Sequence, residues 1–153
     1  MGKHVGNSVW EEAADAAQIL TSAREAIACI LAMGDAVLEE HKKSLISRMI
    51  WKITEANGKY NTRYISEKAR KASKDDRRHD HVWTRKRMVE RILKDPDVLE
   101  HEIEQAIGCT VTKHEHDDLT RYDKSHDGWD RYKEAEIRVW DEKKRAWISD
   151  AWK

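Results

Sequence analysis

The feature that most constrains this chain is a helical repeat of apolar residues in its N-terminal part. From Ser8 to about Met33, apolar residues recur every three or four positions, which is the period of one face of an α-helix. A second stripe with this period follows Gly34 and ends at Asn57-Gly58, a dipeptide that suits a left-handed helix cap. The pattern predicts two long helices that pair as a hairpin. Because the stripe is narrow, it would also suit the seam of a homodimer.

After residue 58 the pattern changes to short elements of both kinds. Tyr60 to Ile65 combines aromatic and β-branched residues, which favours a strand, and Ser66 can cap a short basic helix. Residues 75–81 are polar and predict a loop. Cys109 to Val111 indicates another short strand, and two apolar runs that flank a charged turn in residues 137–148 predict a C-terminal hairpin.

The length of 153 residues suits one domain with its own core. We expect a single domain, residues 1–153, of the α+β class and predominantly helical. Residues 1–58 would form the helical hairpin, and residues 59–153 a small mixed region. The longest uncharged stretch, Ala26 to Gly34, is too short to cross a bilayer, and no secretory signal begins the chain. We therefore expect a cytoplasmic protein that has no membrane partner.

Charge is strongly segregated along the chain although the net charge is zero. Residues 59–91 hold twelve Lys and Arg against five Asp and Glu, a balance of +7. Residues 95–118 hold one basic residue against eight acidic ones, a balance of −7. Either the two stretches complement each other within the fold, or a basic patch is available to a partner such as nucleic acid.

Histidines supply the clearest indication of chemistry. Four of the eight form two similar tripeptides, His79-Asp80-His81 and His114-Glu115-His116. Imidazoles beside carboxylates are typical of metal sites and of water activation. The sequence predicts a divalent ion, Mg²⁺ or Zn²⁺, whose candidate ligands are Asp80, His79, His114 and His116. The alternative is that both tripeptides are solvated surface, with Glu115 used by a capping box that begins at Thr112.

The first tripeptide also resembles part of a known motif. Asp80-His81-Val82 is similar to the Asp-His start of the His-Asn-His (HNH) nuclease motif. The resemblance implies that His81 is the general base and that Asp80 is a metal ligand. That family follows its Asp-His with a strand, an Asn and a metal-binding helix. Here the next histidine candidates, His114 and His116, lie a whole helix pair further along the chain.

Cationic and aromatic residues near this motif predict contacts with nucleic acid. Arginine and lysine neutralise phosphates, and aromatic rings stack on bases. The candidates are Arg77, Arg78, Arg85, Lys86, Arg63 and Tyr64. Four tryptophans near the C-terminus, which a small domain cannot bury completely, predict a surface for a protein partner: Trp129, Trp140, Trp147 and Trp152.

These observations lead to two functional hypotheses. The first is a nucleic-acid-directed enzyme, a metal-dependent phosphodiesterase or nuclease of degenerate HNH type. The alternative is a non-enzymatic accessory or inhibitory module that binds nucleic acid or protein. The sequence leaves open whether the protein is an enzyme.

Overall fold

The predicted helical hairpin is present in the computed structural model, which describes residues Val9–Trp152. Helix α1 spans Ala16–Leu31 and helix α2 spans Glu39–Thr54. Ser8, the expected start of the first helix, lies outside the described residues, but residues 9–15 are described and not helical, so the predicted start is wrong and α1 begins only at Ala16. Gly58, which follows α2, has a φ of 101°, the left-handed conformation that its position predicts.

The helices after the hairpin are all shorter. In the described part of the chain they are α3 (Glu67–Lys71), α4 (Arg85–Lys94), α5 (Leu99–Glu104), α6 (Lys113–Arg121) and α7 (Trp129–Glu134). Single 3₁₀ turns lie at Lys74–Asp76, Pro96–Val98 and Ile148–Trp152. None of the helices described combines the length and the apolarity that crossing a bilayer requires.

Within residues 9–152, five short strands form one mixed sheet in the order β2-β3-β1-β4-β5. They are β1 (Tyr64–Ser66), β2 (Arg77–His81), β3 (Gly108–Thr112), β4 (Val139–Asp141) and β5 (Ala146–Trp147). Strand β3 is parallel to β1 and antiparallel to β2, and β4 and β5 form the C-terminal hairpin. The α+β, predominantly helical class is therefore confirmed.

Two apolar clusters hold these elements together. The first joins α1, α2 and α4 and includes Ile27, Ile46, Ile50, Met88 and Ile92. The second lies between the sheet and the helices α6 and α7 and includes Val111, Leu119, Tyr132 and Val139. Trp83, which follows β2, packs against both clusters. Strand β2 and the start of α4 consequently lie where the two clusters meet.

Capping interactions fix the ends of the short helices. The Ser66 hydroxyl accepts a hydrogen bond from the Ala69 amide at 3.0 Å, which confirms the predicted cap of α3. Thr112 and Glu115 form the predicted capping box of α6. Glu115 also accepts a hydrogen bond from the Ser66 hydroxyl, so the caps of α3 and α6 are joined.

The predicted loop at residues 75–81 is wrong over most of its length. Arg77–His81 form β2, an edge strand that pairs with β3 from Arg77 opposite Thr112 to His81 opposite Gly108. The prediction failed because no residue of β2 is apolar, so the sequence lacks the alternation of apolar and polar residues that indicates a strand. A buried ion pair to a distant helix takes the place of the apolar contacts that ordinarily mark a strand.

Candidate functional site

Strand β2 divides the first histidine tripeptide between two faces of the sheet, because successive side chains of a strand point in opposite directions. Asp80 is 5% exposed and accepts hydrogen bonds from Arg131 Nη2, at 2.9 Å, and from the Tyr132 hydroxyl. Burial raises the pKa of the Asp80 carboxyl, and the charge of Arg131 opposes this. Since Arg131 also donates to the carbonyls of His81 and Val82, this network ties α7 to β2.

His79 and His81 face α2 on the other side of the strand. His79 Nε2 lies 3.0 Å from Thr54 Oγ1, and the Thr54 hydroxyl donates its proton to the Trp51 carbonyl at 2.8 Å. His79 Nε2 is therefore the donor, which leaves Nδ1 as a bare acceptor. The His81 ring packs edge-on against both the Trp51 ring and the His79 ring. Within the described residues, the buried Nδ1 atoms of both histidines lack a hydrogen-bond partner.

The environment of these two histidines keeps them neutral. Burial lowers the pKa of both imidazoles, that of His81 to about 2, and the charge of Arg85 lowers both further. A general base works best when its pKa is near the working pH. The low pKa of His81 therefore does not suit the role of general base that the resemblance implies. Asp80, the metal ligand that the resemblance implies, lies on the opposite face of β2 from His81.

A glycine makes room for this pair of rings. Gly108 lies opposite His81 in the β2–β3 register. A Cβ atom at Gly108 would lie 2.5 Å from His79 Cε1 and 2.9 Å from the Thr54 carbonyl oxygen. No larger residue fits there unless the His79 ring moves. The absence of a side chain at residue 108 therefore allows the observed position of the His79 ring.

The second tripeptide occupies the first turn of α6, as predicted, but its side chains separate. His114 is exposed, and its Nε2 lies 3.5 Å from an Asp118 carboxylate oxygen one turn further along the helix. Glu115 is buried in the capping box. His116 lies close enough to Asp80 to lower the pKa of that carboxyl. Among the residues described, no three His, Cys, Asp or Glu side chains come together as a group that could hold a metal ion.

Four of the six predicted nucleic-acid contacts are engaged in holding the fold together. Arg63 donates to both carboxylate oxygens of Asp141, at 2.9 and 2.7 Å. The Tyr64 ring packs edge-on against a tryptophan in the sheet-side cluster. Arg77 and Arg78 donate to backbone carbonyls nearby. Arg77 and Arg78 are partly exposed. The guanidinium of Arg63, by contrast, is bound to the Asp141 carboxylate.

The remaining two candidates, Arg85 and Lys86, line an open cleft between α2 and α4. We call it the α2–α4 cleft, and it has a volume of about 420 Å³. Its lining residues are Lys43, Ser44, Ser47, Arg85, Lys86, Val89 and Glu90.

Arg85 is the most unusual residue of the cleft. Its guanidinium lies over the Trp51 ring, 4.5 Å from the ring centre, and its Nη1 donates to Ser47 Oγ at 3.2 Å. Within the part of the chain that the structure describes, Arg85 has no carboxylate partner, and both of its hydrogen bonds are donated by Nη1 to Ser47. Burial lowers the pKa of Arg85, and the like charge of Arg48 lowers it further.

Sequence reasoning missed the part of this site that α2 contributes. Lys43, Ser47 and Trp51 are spaced four residues apart, so they share one face of that helix. Trp51 is 36% exposed, which is unusual for so large an apolar side chain. The sequence did carry a signal for this part of the site. It places a cation, a hydroxyl and a tryptophan together on the polar face of an amphipathic helix.

The C-terminal tryptophans mainly pack on one another. The rings of Trp129 and Trp152 are 5.9 Å apart, and those of Trp140 and Trp147 are 5.0 Å apart. Arg138 covers Trp147 at 4.1 Å. All four tryptophans are half-buried, so the protein-binding surface that they predict stays a prediction.

Comparison with known proteins adds no relative to this description. No family model matches the chain, and neither the curated proteins nor the solved structures contain a significant match. The α+β fold alone does not define an activity, because unrelated functions share folds. Among the described residues, the α2–α4 cleft holds an arginine, Arg85, that Trp51 and Ser47 contact and that forms no ion pair.

Proposed function

We propose that this protein binds nucleic acid through the α2–α4 cleft, where Arg85 and Lys86 contact phosphate groups. The observation that carries the proposal is the state of Arg85. Its guanidinium is held in place by Trp51 and Ser47, yet it keeps donors free and has no carboxylate among the described residues. An ordered guanidinium with free donors is well suited to a phosphate.

Three other arginines of limited exposure are paired with carboxylates: Arg63 with Asp141, Arg91 with Glu102, and Arg131 with Asp80. Arg77 and Arg78 also have no carboxylate partner among the described residues, but they donate to backbone carbonyls and do not line the cleft. In the cleft, Arg85 instead experiences the like charge of Arg48. A bound phosphate would replace that repulsion by attraction, so this surface favours anions.

The proposal predicts that Arg85→Ala weakens binding to a fluorescently labelled oligonucleotide, measured by anisotropy over a series of salt concentrations. Loss of one phosphate contact should reduce the slope of log K against log salt by about 1. Arg121→Ala is the control, because it removes the same charge from α6, where Arg121 pairs with Asp118. Equal affinities and equal slopes in the two variants would exclude the cleft as the nucleic-acid site.

Metal-dependent hydrolysis of the bound strand is a second candidate function with one observation in its favour. Strands β2 and β3 are antiparallel, α6 follows β3 directly, and His116 of α6 influences the buried Asp80. The resemblance to HNH nucleases implies a strand and then a helix after the Asp-His, and β3 and α6 supply these elements, although α4 and α5 come between β2 and β3. Because Arg131 and Tyr132 occupy the Asp80 carboxylate, the residues present do not fit the ion as arranged here, and we assign no catalytic step.

Incubation of labelled DNA and RNA with the protein and Mg²⁺ or Zn²⁺ tests this second candidate. If the protein is such an enzyme, cleavage should require the metal and should be lost in His116→Ala. His114→Ala is the matched control, because His114 is exposed in the same helical turn. Cleavage that survives in His116→Ala, or no cleavage in the wild type, would leave binding as the function.

A further inference from the structure

We infer that the α2–α4 cleft accepts one unpaired nucleotide, and that the protein therefore prefers single-stranded nucleic acid to a duplex. This inference rests on the proposed function and specifies its ligand. The lining of the cleft contains hydroxyl, apolar and acidic groups as well as cations.

The lining combines three kinds of group around one depression. Lys43, Arg85 and Lys86 supply positive charge, Ser44 and Ser47 supply hydroxyls, and Val89 supplies an apolar side chain at the base of the cleft. A volume of about 420 Å³ falls in the range of small-molecule sites. Phosphates at the surface of a duplex would use only the charges, whereas an unpaired nucleotide would use all three kinds of group.

Arg85 provides a preformed stacking surface beside the cleft. One face of its guanidinium covers the Trp51 ring, and Ser47 holds the group in position. Bases stack on guanidinium planes as well as on aromatic rings, and only an unstacked base can do so. Because Arg85 is already ordered, binding costs less side-chain entropy than it would for a mobile arginine.

Glu90 is the feature that phosphate binding alone does not explain. Glu90 lines the same cleft, and its negative charge would repel a phosphate. A carboxylate accepts hydrogen bonds from the exocyclic amino group of a base, as Glu and Asp do with cytosine. Glu90 therefore favours a base with an amino group at one side of the cleft, while the phosphate lies near Arg85 and Lys86.

The test compares three ligands by anisotropy or competition: a labelled mixed-sequence single strand, the duplex of the same sequence, and inorganic polyphosphate. The wild-type protein should bind the single strand at least about fivefold more tightly than the duplex, the effect of one stacked base. Ser44→Leu should remove this preference, because the leucine fills the cleft without a change of charge. Ser22→Leu, an exposed position on α1, is the matched control.

The outcomes separate this inference from the proposed function. Equal affinity of the wild type for single strand and duplex, or an unchanged preference in Ser44→Leu, would overturn the single-strand inference alone. Polyphosphate binding as tight as the single strand would overturn it too, since a base would then add nothing. If Arg85→Ala leaves the binding of all three ligands unchanged, the proposed function itself fails. Circular dichroism melting curves of each variant establish that it is folded.

Discussion

At the scale of single residues, Gly108 shows how one backbone position controls the histidine pair. A methyl group there would collide with the His79 ring and with the Thr54 carbonyl. The same ring is hydrogen-bonded to Thr54, so a shift of the ring would disturb that bond. The absence of a side chain at residue 108 is therefore required by the neighbours and not by backbone conformation.

We predict that Gly108→Ala destabilises the protein by about 1–3 kcal/mol, the usual cost of overpacking a close contact. Urea denaturation followed by tryptophan fluorescence measures the change. Gly34→Ala is the matched control, because a Cβ at Gly34 meets no atom within 4 Å. Similar unfolding free energies for the two variants would mean that the space above Gly108 is not tightly occupied.

At the scale of elements, β2 is a strand without a hydrophobic residue that nevertheless has two contacting faces. Asp80 binds Arg131 of α7 on one face, and His79 and His81 pack against α2 on the other. The strand thus connects the two apolar clusters through polar groups. Removal of one partner from a buried ion pair such as Asp80 with Arg131 costs more stability than the intact pair contributes. The position of β2 therefore depends on the polar contacts of both its faces.

Burial of two neutral histidines on β2 predicts a loss of stability at acid pH. The folded-state pKa of His81, about 2, lies below its unfolded value of 6.5, and the pKa of His79 is lowered too. Below pH 6.5 the unfolded chain therefore takes up protons that the folded protein excludes. His81 should therefore remove up to about 1.4 kcal/mol of stability for each unit of falling pH, and His79 should add to the loss. The raised pKa of Asp80 acts in the opposite direction.

Denaturant unfolding at a series of pH values between neutral and mildly acidic conditions measures this effect. His81→Gln should make stability depend less on pH, whatever its effect at neutral pH. His101→Gln, at an exposed position in α5, is the matched control. A wild-type protein whose stability did not fall below pH 6.5 would show that the two imidazoles are accessible to protons.

At the scale of the whole molecule, the charge segregation of the sequence is only partly used within the fold. One ion pair, Arg91 with Glu102, joins the basic stretch to the acidic stretch. Other basic residues pair outside the acidic stretch, such as Arg63 with Asp141. Arg85 pairs with no described carboxylate. Ion pairs within the fold therefore neutralise only part of the segregated charge. Within the described residues, the basic residues of the α2–α4 cleft are among those that stay without an ion-pair partner.

The sequence by itself determined the elements that local rules govern. The helical period gave the hairpin, and the spacing of Thr112 and Glu115 gave the capping box, because such patterns depend on residues close together in the chain. It also marked Arg85 and Lys86 as candidates for phosphate, since a cationic run is visible without a structure.

The tertiary structure alone decided which of these residues meet. Only the fold brought Arg131 to Asp80 across 51 residues and Asp141 to Arg63 across 78, so that both candidates have partners within the molecule. Only the packing of α2 on α4 placed Trp51 and Ser47 beside Arg85. The physical reason is that a side chain's chemistry depends on its charge partners and on its burial, and both are set by contacts between distant segments.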